Sequence, residues 1–252
     1  MPRPTQEQTQ TDYTACTVAP LANVSLCASA VERALNRPGH LPGMVCMHGP
    51  AGWGKSKAAT FVALRYRGYY IQCQETWTSR AILHYILQTM GVPARARVWE
   101  MAEQVCEQLA KSGRPLIVDE LDKLVKKKSV ELIRDLFEGS GAVILLIGEQ
   151  GIEDKLARWE RFHRRILEWV QAVPTDVEDT GHLRRLYHPE VEMDEALLAR
   201  ITEVSAGSAG RVCLNLARVA KLAAETGLER VTLADWGDRQ LLSGERGVRH
   251  GA

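Results

Sequence analysis

The chain carries almost no net charge: 32 Lys plus Arg stand against 31 Asp plus Glu, leaving +1 over 252 residues. That balance excludes a protein that coats nucleic acid by bulk basicity, so any nucleic-acid contact must be local. Long apolar runs are also missing. The longest, Ala142 to Ile147 within GAVILLIG, falls far short of the roughly 18 to 20 residues that span a bilayer, so no membrane partner is expected. The N-terminal MPRPTQEQTQ has no apolar core of the kind a secretory signal needs, and residence in the cytoplasm is the expectation. There is no C-x-x-C pair among the six cysteines, Cys16, Cys27, Cys46, Cys73, Cys106 and Cys213, and the histidines lack metal-ligand spacing. Reduced structural thiols are expected, without a zinc site.

What is present is the composition of a folded globular protein, with 45% hydrophobic and 25% charged residues. Residues 1 to 18 read as a disordered tail, rich in Gln and Thr where they begin. A short helix is expected from Ser25 to Asn36, where Leu26, Val31, Ala34 and Leu35 recur at helical spacing before Pro38-Gly39. Short apolar runs then alternate with helical stretches: MVCMHG at 44 to 49, YYIQC at 69 to 73, PLIVDE at 115 to 120, AVILLIG at 142 to 148 and LEWVQAV at 167 to 173. Strands that are apolar on both faces and separated by helices predict an α/β fold with a mostly parallel sheet sandwiched by helices. After Pro174 the strand signal fades, and helical patterns at Glu195 to Val204, Arg211 to Thr226 and Leu233 to Leu242 predict a small helical domain. The expected division is a core at 19–180, a helical lid at 181–243 and a flexible tail at 244–252.

GPAGWGKS, from Gly49 to Ser56, fits G-x-x-x-x-G-K-[ST] and lies directly between a strand and a helix. Its parts have distinct tasks. Gly49, Gly52 and Gly54 let backbone N–H groups turn around a phosphate, and the helix that follows points its positive end at the same place. Lys55 reaches the β and γ phosphates of ATP, and the Ser56 hydroxyl is a ligand for Mg²⁺. Pro50, Ala51 and Trp53 complete the loop and Lys57 follows it, so the candidate nucleotide site runs from Gly49 to Lys57. PLIVDE ends a buried strand in two acids at the carboxyl edge of the sheet: Asp119 to hold Mg²⁺ and Glu120 to orient and polarise the attacking water. A helix N-cap is the plainer role for either acid.

Glu149 ends a further strand, where a polar side chain reaches the γ phosphate or its water, although a carboxylate sits awkwardly beside phosphate charge. DKLARWERFHRR, 154 to 165, is expected to be a helix with Arg158, Arg161 and Arg165 on one face. It reads either as a solvated face or as an arginine finger, Arg161, Arg164 or Arg165, offered to a neighbouring subunit's nucleotide. Arg211 opens a helix in the second domain, as a plain surface residue or as a lid residue responding to the γ phosphate. Lys123, Lys126, Lys127 and Lys128 follow the acidic strand end, forming either a solvated turn or a contact to the phosphate backbone of DNA.

The assembly of GPAGWGKS, LIVDELDKLV, ELIRDLFEGS, LLIGEQ, RWERFHRRILEWV and SAGRVCLNL resembles the AAA+ ATPases of DNA transposition, in particular the target-DNA activators of Mu-like transposable phages. The likeness spans Ala19 to Gly244, and Leu116 to Val170 is its specific part. It implies a sheet with a helical lid, ATP-dependent self-assembly into a filament or ring on double-stranded DNA without sequence preference, activation of a transposase, and residence in a bacterial host's cytoplasm. By the same resemblance Lys55 and Ser56 match Walker A, Asp119 and Glu120 Walker B, Glu149 sensor 1, Arg165 the finger and Arg211 sensor 2. Glu149 departs from the Asn, Thr or Ser common at that place, and the adjacent Arg164 makes the finger ambiguous.

The expected function is therefore ATP hydrolysis coupled to selection of target DNA for a phage-type transposase. A helicase-loader or initiator-like ATPase shares every motif. A small-molecule P-loop kinase is opposed by Glu120 and the arginine-rich segment, and a nucleotide-gated scaffold that scarcely hydrolyses remains an alternative.

Overall fold

The computed structural model describes residues 19–243; the tails expected at 1–18 and 244–252 lie outside the described residues. Five parallel strands make the main sheet: β1 (Met44–Gly49), β2 (Tyr69–Gln72), β3 (Leu116–Asp119), β4 (Ile144–Glu149) and β5 (Ile166–Gln171), in the spatial order β2-β3-β4-β1-β5. Every residue of β1 and β3 is buried, as is all of β4 except Glu149, which is why these runs are apolar without alternation. Alternate residues nonetheless go to opposite faces. Met44, Cys46, Leu116, Val118, Ile144 and Leu146 share one core cluster, whereas Val45, Met47, Ile117 and Leu145 are equally buried outside it.

Helices connect the strands. In chain order they are α1 (Ala22–Leu35), α2 (Lys55–Arg65), α3 (Ser79–Met90), α4 (Val98–Ser112), α5 (Leu121–Lys126), α6 (Val130–Ser140), α7 (Ile152–Ala157) and α8 (Glu160–His163). Ile82, Leu83, Ile86 and Leu87 of α3 and Met101, Val105 and Leu109 of α4 bury their stripes in the first cluster. α2 touches four strands, and its buried Ala58, Ala59, Phe61 and Val62 are outside that cluster, so helices cover both faces. Thr78 accepts the Ala81 N–H at the start of α3, and Gly91 in left-handed conformation ends it.

The helix expected across 154 to 165 is broken. α7 stops at Ala157 and α8 starts only at Glu160, because Trp159 leaves helical geometry (φ −104°, ψ 65°). Arg158, Arg161 and Arg165 therefore do not share one helical face.

A second compact unit contains Val173 onward together with Ala19–Ala22 and Gly52–Gly54; the sheet unit contains Asn23–Ala51 and Lys55–Ala172. The helical unit is built from α9 (Val177–Tyr187), α10 (Glu195–Ser205) and α11 (Ala209–Thr226), which pack on one another, and from the single-turn α12 (Leu233–Trp236). α9 is a helix that the apolar pattern did not reveal, and with it the helical unit starts ahead of residue 181. Two parallel two-residue strands, β6 (Glu192–Met193) and β7 (Arg230–Val231), were also unforeseen. The helix expected from Leu233 to Leu242 ends at Trp236, where Gly237 adopts φ 59°, ψ −142°. Beyond it the buried side chain of Asn215 accepts the Leu242 N–H at 2.8 Å and donates to the Leu242 carbonyl at 3.1 Å. No helix among the described residues is long and apolar enough to cross a membrane.

Candidate nucleotide-binding site

Parallel strands in register deliver their carboxyl ends to one edge. Gly49 pairs with Glu149 across β1 and β4, and Gln72 pairs with Asp119 across β2 and β3. The loop after β1 starts at Gly49, whose φ of +150° is glycine territory; a Cβ there would sit 2.9 Å from Ala172 Cβ. Gly52 and Gly54 follow at φ +83° and +85°, and the chain enters α2 at Lys55. Three positive-φ glycines opening an eleven-residue helix form a cradle of backbone N–H groups at a positive helix end.

Lys55 is buried, and its ammonium donates to the carbonyls of Gly49 (2.7 Å) and Pro50 (2.8 Å). Burial pushes this ammonium below its ordinary pKa, while the carboxylates of Asp119, Glu149, Asp122 and Glu120 pull the other way. A buried ammonium held against its own loop carbonyls, beside a glycine-rich turn at a positive helix end, has the donor chemistry that phosphate groups of a nucleotide require. Ser56, on the first turn of α2, and Lys57 are exposed, as is Ala51.

Asp119 is almost fully buried at the end of β3. Its Oδ2 accepts the Tyr70 hydroxyl at 2.7 Å and its Oδ1 accepts the Glu120 N–H at 2.8 Å. Glu120 has left-handed backbone (φ 61°), a conformation uncommon for a residue with a Cβ. Its carboxylate meets Lys123 Nζ at 3.4 Å. An oxygen pair from Ser56 and Asp119 has the hard-ligand chemistry Mg²⁺ prefers.

Glu149 is exposed at the end of β4, and its N–H donates to Asp122 Oδ2 at 2.6 Å. Arg161 and Arg164 are exposed, Arg164 with a loose contact to Glu160 at 4.0 Å. Arg165 forms an ion pair with Glu138. Arg211, half-buried, opens α11 in the helical unit, its N–H directed at Ser208 Oγ at 3.4 Å. Of the four lysines beyond Asp119, two are tied down: Lys123 Nζ donates to the Cys73 carbonyl at 3.0 Å and Lys127 Nζ to that of Trp77 at 3.1 Å. Lys126 and Lys128 are exposed and have no such bond. Cys27, Cys46, Cys73, Cys106 and Cys213 are free, and burial pushes the Cys27 and Cys73 thiols up to about 12; Cys16 lies outside the described residues.

Tyr70, Asp122 and Lys155, which donates to Asp122 Oδ1 at 2.9 Å, belong to this edge, and the sequence alone assigned none of them a role there. The buried His48, just ahead of the loop, meets Trp169 edge to face (5.9 Å between centroids) and leaves its Nδ1 without a hydrogen bond.

A five-stranded parallel sheet in this order, flanked by helices and bearing such a loop, is the AAA+ P-loop ATPase fold. Residues 39–156 match the family model described as an AAA domain. The fold is similar to that of the ORC2 protein of Aeropyrum pernix, solved in ADPNP–ADP complexes, with a TM-score of 0.67 and 14% identity over 85% of this chain and 66% of that one. It is similar also to the Aeropyrum pernix ORC1 protein in complex with DNA (TM-score 0.61, 18% identity, 83% of this chain and 61% of that). The Thermotoga maritima RuvB Holliday junction branch migration motor gives a TM-score of 0.57 at 19% identity, over 84% of this chain and 66% of that one. The chain thus spans less than two thirds of the length of each. No curated protein matches it.

Proposed function

We propose that this protein hydrolyses ATP and uses the nucleotide to assemble on double-stranded DNA, as an initiator- or loader-like AAA+ ATPase. The observation that carries the reading is the convergence of Lys55, Asp119, Glu120 and Glu149 on one sheet edge, around a loop of positive-φ glycines. The fold shared with the ORC2 and ORC1 proteins, the latter solved in complex with DNA, supports the initiator-like role. Target selection for a transposase is the second reading, and it rests on the run from Leu116 to Val170 described above.

In this reading the N–H groups from Gly49 to Gly54 and the ammonium of Lys55 take up the phosphate charge, Lys55 exchanging its two loop carbonyls for phosphate oxygens. Ser56 and Asp119 would hold Mg²⁺, which would supply neutralisation of the phosphate charge. Glu120 orients a water and takes its proton as the water oxygen attacks the γ phosphorus, and ADP leaves with the bridging oxygen. Glu149 reads the presence of the γ phosphate. An arginine from the 161–165 segment of a second copy stabilises the transferred charge, and Arg211 couples the helical unit to the nucleotide state.

Electron microscopy of the protein with duplex DNA, with and without ATP, tests this. ATP-dependent filaments or rings on DNA are expected. A chain that binds ATP yet stays monomeric beside DNA would favour the kinase alternative, and assembly without turnover would favour the scaffold.

A further inference from the structure

The β3–β4 ladder stops at Val118 and Leu146, but the β1–β4 ladder runs on to Gly49 and Glu149. The last residues of β4 therefore have a backbone partner on one side only. On the other side the side chain of Asp122, from α5, stands in for the missing strand: its Oδ2 accepts the Glu149 N–H at 2.6 Å. The second oxygen, Oδ1, accepts Lys155 Nζ from α7 at 2.9 Å. Asp122 is 4% exposed, and burying a carboxylate is costly without such donors. A residue of the short helix after β3 thus joins the end of β4, at Glu149, to the helix α7 that follows the turn, at Lys155.

We infer that Asp122 is a positioning residue for response to the γ phosphate: by holding the Glu149 N–H and Lys155, it sets where the Glu149 carboxylate stands opposite Gly49. The inference rests on the role given to Glu149 above. Without Asp122 the end of β4 loses the hydrogen bond that holds the Glu149 N–H on that side, and the carboxylate is no longer fixed with respect to the phosphate loop. Asp122 is buried with both oxygens engaged, by the Glu149 N–H and Lys155, so it acts through Glu149 and its effect should appear in discrimination between nucleotides rather than in binding as such. Asparagine keeps an acceptor for the Glu149 N–H while giving up the ion pair with Lys155, so Asn and Ala separate positioning from charge.

The test measures affinities of the full chain for ADPNP and for ADP, with Mg²⁺ present. The wild type is expected to prefer ADPNP. Asp122→Ala should reduce that preference by roughly tenfold, the scale on which removing a supporting hydrogen-bond partner acts, whereas Asp122→Asn should stay within about twofold of the wild type, as expected if the acceptor and not the charge holds Glu149. If Asp122→Ala alone fails to fold, Asp122→Ala with Lys155→Met removes the unbalanced ammonium and serves in its place. A preference that survives in the folded Ala variant, or one lost equally in Ala and Asn, would overturn the positioning role alone. Equal affinities of the wild type for the two nucleotides would remove the role of Glu149 first, and this inference with it.

Discussion

The Tyr70 hydroxyl lies 2.7 Å from Oδ2 of Asp119, 49 residues further along the chain. The bond crosses from β2 to β3 at the edge where the phosphate loop begins. The buried Asp119 carboxylate otherwise receives only the Glu120 N–H among the described residues, so Tyr70 is its one side-chain donor. The reciprocal effect is visible on the phenol, which burial and the Asp119 carboxylate together hold above its ordinary pKa.

Tyr70→Phe should therefore weaken retention of Mg²⁺ at Asp119. The concentration giving half-maximal turnover is expected to rise by roughly tenfold, the usual scale for loss of a group that orients a ligand, with about 1–3 kcal/mol lost from unfolding stability. Titration of activity against Mg²⁺ checks it. An unchanged midpoint would mean that Asp119 is oriented by Glu120 N–H alone.

Lys55 and Glu120 should separate by phenotype. Lys55 is the buried cation of the loop, and Lys55→Ala removes the charge that meets the phosphates, so ATP binding itself should fall. Glu120→Gln keeps the shape of the site and removes the base, and should retain affinity while turnover drops by about 10²–10³, as for loss of one well-placed catalytic group. Equilibrium binding alongside single-turnover hydrolysis distinguishes them; equal loss of affinity in both would undo the assignment.

Arg165 is already engaged by Glu138 of its own chain, so service to a neighbouring nucleotide requires that pair to open. Mixed assemblies decide whether it does. Arg165→Ala and Glu120→Gln subunits, each inactive alone, should recover part of the activity when mixed, because some interfaces then join an intact base to an intact finger. If properly assembled mixtures stay inactive, Arg161 or Arg164, both exposed, become the candidates.

The sheet edge was legible in the sequence because it is local: loop, strand and helix are contiguous, and strands buried on both faces write themselves as unbroken apolar runs such as MVCM and LIV. α9 was not, because VEDTGHLRRLY buries Asp179, Thr180, Gly181 and Leu183 and so shows no apolar stripe. The reverse error arose at Leu233 to Leu242, where helical spacing of apolar residues continues past Gly237 although the chain turns away to meet Asn215. Pairs such as Tyr70 with Asp119 or Asp122 with Lys155 join residues 49 and 33 positions apart, and nothing in either segment announces the other.

The lysines after Asp119 carry the last prediction, and the structure divides them. Lys123 and Lys127 spend their ammonium groups on the carbonyls of Cys73 and Trp77, bracing the loop between β2 and α3. Lys126 and Lys128 point no such bond inward, so they are the pair free to meet phosphates. A chain at +1 overall cannot bind DNA through bulk attraction, and two lysines per protomer neutralise too little for a tight grip alone; repeated along an ATP-dependent assembly, they sum through effective concentration. Lys126→Ala with Lys128→Ala should weaken binding to unrelated duplexes alike, and should flatten the dependence of log K on log salt by roughly 0.9 for each DNA phosphate that a protomer no longer neutralises. ATP affinity should not change. Lys123→Ala should leave the salt slope where it was, since its charge is already occupied within the fold. If the double variant keeps its DNA affinity and slope, the cluster is a solvated turn and the DNA-facing surface lies elsewhere on the protein.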